Sequence, residues 1–87
     1  MKSTVRIYSS NWCPFCVQAK RLLDRKGVSY QELIVDGDPA LRTKMMQESG
    51  RTSVPQIWIN EDHIGGCDEL YSLDRLAKLD SLLGLDR

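Results

Sequence analysis

Cys13 and Cys16 are separated by two residues, Pro14 and Phe15. Two thiols at this spacing suit either thiol–disulfide exchange or metal binding. The pair follows a β-like run, Val5-Arg6-Ile7-Tyr8-Ser9, and precedes a helix-like one. That context puts Cys13 at a helix N-terminus, where unpaired N–H groups and the helix dipole favour negative charge. Thiolate is the reactive form of cysteine. Pro14 suits the first helical position, where a backbone N–H would be unbonded anyway. Cys16, about one turn on, is placed to attack a disulfide formed at Cys13. A zinc site wants four ligands, usually two such pairs or one pair with histidines. This chain offers one pair, the distant Cys67 and a single histidine, His63.

Two further stretches carry chemistry. Thr52-Ser53-Val54-Pro55 leads into a strand-like run. An ordinary trans proline is tolerated at a strand start, and cis is the minority form. Beside a redox pair the cis form is expected, leaving the Val54 backbone N–H and C=O free to pair with an extended peptide thiol. Gly65-Gly66-Cys67-Asp68 opens another helix. The glycines allow a tight turn and close approach of a ligand. The helix N–H groups make a carboxylate site, and Asp68 can accept from an amine. Together they suit the α-amino acid end of a ligand; a plain turn with Asp68 as N-cap is the alternative.

The elements that must hold these residues are legible from periodicity. Residues 4–9 read as a strand. Residues 14–26 read as a helix with Phe15, Ala19, Leu22 and Leu23 on one face and Gly27 as terminator. Tyr30 to Val35 reads as a second strand. Asp38 as N-cap and Pro39 at the first position open a second helix, with Leu41 and Met45 inward and Ser49-Gly50 closing it. Val54 to Ile59 is a third strand, with Ile57 and Ile59 on one face. Asn60-Glu61-Asp62 turns into a fourth, His63 to Gly65. From Cys67 a third helix carries Leu70, Leu73, Leu76 and Ala77, and the leucine-rich tail to Leu85 extends it or adds another. The order β-α-β-α-β-β-α predicts an α/β fold: a four-stranded mixed sheet with helices on both faces. The first two strands are parallel with a right-handed crossover, the last two antiparallel.

Composition bounds the rest. Eighty-seven residues make a single domain, 1–87. Twelve basic and twelve acidic residues cancel, so no charge field points to nucleic acid or an acidic membrane. No apolar stretch reaches membrane-spanning length, and no signal-peptide core follows the first residues, so a cytoplasmic location is expected. Three cysteines are too few for a secreted disulfide framework.

These motifs, in this order, resemble the glutaredoxins: strand, Cys13-Pro14-Phe15-Cys16, Thr52-Ser53-Val54-Pro55-Gln56-Ile57, and Gly65-Gly66-Cys67-Asp68-Glu69-Leu70. The similarity spans nearly the whole chain and is closest to the small bacterial dithiol class. It implies a thioredoxin-like fold, glutathione as co-substrate, and reduction of glutathionylated or disulfide-containing proteins by a monomer without a metal. It makes Cys13 the nucleophile and Cys16 the resolving thiol. Phe15, where the family usually has tyrosine, keeps the aromatic wall. Val54, with Pro55 cis, would pair with the cysteinyl part of glutathione. Gly66, Cys67 and Asp68 would hold the γ-glutamyl end, and Arg42 the glycyl carboxylate. Arg42 also reads as a solvated helix-face charge, and Cys67 as a small residue at a helix start or an oxidation-sensitive thiol.

One departure stands out. Many members carry a lysine three residues before the first motif cysteine, where this chain has Ser10. Trp12 resembles the thioredoxin pattern, but the Gly-Pro centre of that motif is absent. It reads either as a partner-contact aromatic or as a shield for the thiol. Two other activities compete with the main one: a redoxin reduced by thioredoxin reductase, and a dimer holding a [2Fe–2S] cluster. The Gly-Gly-Cys-Asp element argues against the first, and the stiffening Pro14 against the second.

Overall fold

The computed structural model describes residues 3–85. Its elements are β1 (Val5–Ser9), α1 (Pro14–Arg25), β2 (Gln31–Ile34), α2 (Pro39–Ser49), β3 (Gln56–Ile59), β4 (Asp62–Gly65), α3 (Cys67–Arg75) and α4 (Leu79–Leu82). The sheet runs β2-β1-β3-β4. β1 is parallel to β2 and antiparallel to β3, and β3 is antiparallel to β4. This is the expected four-stranded mixed sheet.

Strand alternation divides the core into two layers. Val5, Ile7, Ile57 and Ile59 face α1 and α3, where they bury Ala19, Leu22, Leu23 and Leu70. Tyr8 and Trp58 point to the opposite face and pack with Val35 and Met45. Their rings meet edge to face at 5.3 Å. Helices therefore cover both faces, and truncating a buried leucine here costs about 2–5 kcal/mol.

The helix ends follow their capping residues. The Asp38 carboxylate accepts the Leu41 N–H at 3.0 Å, with Pro39 in the first turn. At the end of α1, Gly27 takes φ +73°. Its N–H donates to the Asp24 carbonyl, and the Val28 N–H donates to that of Leu23. This is the double bond pattern of a Schellman terminator.

Two expectations need correction. Phe15 is not on the buried face of α1: it is 58% exposed, and the buried stripe is Cys16, Ala19, Leu22 and Leu23. The third helix also stops before Leu76 and Ala77. Ala77 takes φ +59°, and N–H groups of Ala77 and Lys78 donate back to the carbonyls of Asp74 and Leu73. Across this turn Lys26 Nζ, at the end of α1, reaches both Asp74 (2.7 Å) and Asp80 (2.8 Å). The break also lets Leu79 and Leu83 join the α1–α3 core. Leu76 is left 62% exposed.

Candidate active site

Cys13 is the N-cap of α1, in extended conformation with φ −122° and ψ 103°. Its sulfur accepts the Cys16 backbone N–H at 3.1 Å, one of the donors a helix start leaves unbonded. The sulfur also lies 3.7 Å from the Val54 carbonyl oxygen, to which the thiol can donate. Cys13 is partly exposed and Cys16 is fully buried. The Val54–Pro55 peptide bond is cis.

The two thiols differ in chemistry as well as exposure. Burial first, and then the hydrogen bond to Cys13, together push the Cys16 thiol up to about 12, against the lowering effect of the Ser10 backbone. Lys20 adds only a small lowering, because its ammonium is held by Glu32 at 2.7 Å. Cys67 is also raised, first by burial and then by Asp68 and Cys13. Buried and protonated, Cys67 is no rival nucleophile.

A cleft of about 270 Å³ opens beside Cys13. It is lined by Phe15, by Val54 and Pro55, and by Gly66, Cys67 and Asp68 at the start of α3. The structure thus brings six of the sequence-marked residues together. Arg42 is not among the lining residues. It lies near enough to Asp36 to help hold that carboxyl below its usual range, after the larger effects of the Ser10 hydroxyl and the Asn11 N–H.

Four lining residues were not marked by the sequence reading: Arg51, Ser53, Gln56 and Glu69. Glu69 Oε1 accepts the Gly66 N–H at 2.6 Å and Arg51 Nη1 at 2.9 Å. The carboxylate therefore ties the turn before α3 to the loop before β3. Both donors hold its pKa down, Gly66 most. Arg51 is itself fixed, since the Ser49 hydroxyl accepts its N–H at 3.0 Å and donates to its carbonyl at 3.1 Å. Buried Gln56 donates to the Ser53 carbonyl at 3.0 Å, so its Oε1 accepts from His63 Nε2 at 2.7 Å. One signal for Glu69 was available: it sits three residues after Gly66, the spacing of a carboxylate that reaches back to its N-cap.

Backbone donors at the start of α3, next to Asp68, give one end of the cleft affinity for a group carrying both an anion and a cation. Val54, another lining residue, has its carbonyl 3.7 Å from the Cys13 sulfur. The arrangement can hold a short zwitterionic peptide with a thiol against a nucleophilic sulfur.

Comparison with known proteins matches this geometry. Residues 5–64 match the family model described as Glutaredoxin. The chain is 56% identical over 79 residues to a glutaredoxin of Pseudomonas aeruginosa, covering 91% of this chain and 94% of that one. It is 56% identical over 81 residues to glutaredoxin 3 of Escherichia coli K12, covering 93% and 98%. Among solved structures it resembles the buckwheat glutaredoxin–glutathione complex, with a TM-score of 0.87 at 30% identity, covering 94% of this chain and 77% of that one. No helix among the described residues is long and apolar enough to cross a membrane.

Proposed function

The chain belongs to the glutaredoxin family of glutathione-dependent disulfide oxidoreductases, with Cys13 and Cys16 as its redox pair, and on that premise we propose that it reduces protein–glutathione mixed disulfides and protein disulfides. The observation that carries this reading is the Cys13 sulfur 3.7 Å from the carbonyl of Val54, which lines a cleft that runs to the start of α3. The setting proposed is a reducing, cytoplasmic one, where a thiol pair of this kind serves catalysis rather than structure, and the protein is proposed to act as a monomer.

In the monothiol route the Cys13 thiolate attacks the glutathione sulfur of a protein mixed disulfide. The old S–S bond breaks, the protein leaves as its thiolate and takes a proton, and Cys13 holds glutathione. A second glutathione thiolate attacks the glutathione sulfur, releasing glutathione disulfide and restoring the Cys13 thiolate. The Val54 backbone pairs with the cysteinyl unit, and Pro55 and Phe15 wall it. Gly66, Cys67 and Asp68 hold the γ-glutamyl end. Arg51 inside the cleft is the cation at hand for a carboxylate of the tripeptide, and Arg42, outside the lining, is proposed for the glycyl carboxylate.

In the dithiol route Cys13 attacks a protein disulfide and forms a mixed disulfide with one of its sulfurs. Cys16 then loses its proton and attacks Cys13, releasing the second protein thiol. The order of events is built in. The hydrogen bond and charge of Cys13 both help keep the proton on Cys16. Once the Cys13 sulfur is in a disulfide, both restraints are gone, so Cys16 becomes more acidic when its attack is needed. Two glutathione molecules reduce the resulting Cys13–Cys16 disulfide.

The test is turnover of a glutathione mixed disulfide with glutathione, glutathione reductase and NADPH. Steady NADPH oxidation is expected, lost in Cys13→Ser. Full activity in that variant would overturn the assignment.

A further inference from the structure

Trp12 is 90% exposed, although it directly precedes the reactive cysteine. It is therefore no shield for the sulfur. It also lies outside the cleft lining. The loop that carries it is nonetheless held in place. The Asp36 carboxylate accepts the Ser10 hydroxyl at 2.6 Å and the Asn11 N–H at 2.8 Å, and the Trp12 N–H donates to Ser10 Oγ at 3.4 Å. Ser10 thus serves as a brace.

The chemistry of the site fixes what passes over this indole. In a mixed disulfide the partner cysteine's Cα lies about 4.4–6.8 Å from that of Cys13. The Trp12 Cα is about 3.8 Å from the Cys13 Cα. Residues flanking a substrate cysteine therefore come within reach of the indole. A tryptophan has only two side-chain torsions to fix, so it loses little entropy on contact and buries a large apolar area.

Resting on the function proposed above, we infer that Trp12 is the specificity residue for polypeptide substrates, docking on an apolar side chain adjacent to the cysteine that joins Cys13. Small disulfides, which have no flanking residues, gain nothing from it.

The experiment compares wild type with Trp12→Ala on three substrates. They are the mixed disulfide of glutathione with 2-mercaptoethanol, a peptide with one internal disulfide flanked by leucine, and the same peptide flanked by serine. The expected loss in kcat/KM is about tenfold for the leucine peptide and within about twofold for the other two. A second readout uses fluorescence, since the chain's other tryptophan, Trp58, is only 4% exposed. In Cys16→Ser joined through Cys13 to the leucine peptide, acrylamide quenching falls; joined to glutathione, it does not. Equal losses on all substrates, no loss on the leucine peptide, or unchanged quenching in the peptide adduct would overturn the inference. So would a solution dimer that Trp12→Ala dissolves, because a second copy would then cover the indole. Failure of wild type on the small mixed disulfide would instead overturn the function itself, and the Trp12 assignment with it.

Discussion

Glu69 and Arg51 meet at 2.9 Å across the cleft, joining the first turn of α3 to the loop before β3. The same carboxylate oxygen takes the Gly66 N–H, so one side chain sets the distance between the two segments that would grip the tripeptide. Both partners are about half exposed, so the ion pair by itself contributes little to stability. Its value lies in geometry.

Replacing Glu69 with alanine should therefore raise KM for a glutathione mixed disulfide with little change in kcat. Loss of charge-assisted bonds, discounted for solvent, is worth about 1 kcal/mol, or about fivefold in KM. The carboxyl is held below its usual value, so the tie persists above about pH 4.3 and is lost as pH falls through the folded-state value. Steady-state kinetics should show a wild-type KM that is flat from pH 7 to about 4.3 and rises only below it, with no such rise in the variant. A parallel fall in kcat would argue against a positioning role.

Gly65 takes φ +120°, and a Cβ there would lie 2.5 Å from Glu69 Oε1. Gly65→Ala should destabilise by about 2 kcal/mol from backbone strain and also break the Gly66 bond by pushing the carboxylate aside. Gly37, at φ +66° with nothing within 4 Å, is the control. Its alanine variant should cost about 1 kcal/mol and leave KM unchanged. Denaturant titration of both would separate the strain from the clash.

Cys16, buried and pushed up to about 12, should resist alkylation at pH 7 while the partly exposed Cys13 reacts. Mass spectrometry of a brief iodoacetamide pulse would read the difference, and preferential labelling of Cys16 would contradict the assigned roles. Cys16→Ser should retain turnover of glutathione mixed disulfides and lose most reduction of protein disulfides.

His63 is the only histidine. Burial pushes its pKa down from 6.5, Arg51 pushes it further, and Glu69 opposes. The unfolded chain therefore takes up the proton first as pH falls. Stability should be constant above about pH 6.5 and decline below it until the folded-state value is reached. Urea midpoints between pH 7.5 and 5 should show that decline. His63→Gln, which keeps a donor toward Gln56, should flatten it.

What the sequence determined is local. Cys13 before Pro14, Asp38 before Pro39, and Gly27 and Gly50 after their helices each act within one turn of chain, so spacing alone locates the helix ends. Alternation in Val5–Ser9 and Gln56–Ile59 likewise assigns each side chain to a sheet face. What tertiary structure decided is convergence. Phe15 faces the cleft because Cys16, one residue on, takes the buried position of the helix. Arg51 and Glu69 lie eighteen residues apart and meet only because β3 and β4 fold back on each other. Arg42 and Arg51 read as equivalent surface cations, yet the fold brings one toward Asp36 and the other into the cleft. The helix break at Leu76 lets Asp74 and Asp80 pair with Lys26, some fifty residues earlier in the chain. Residue type and short-range spacing carry hydrogen-bonding and steric limits. They carry no information about which distant segments share a surface, and the substrate cleft is made of such segments.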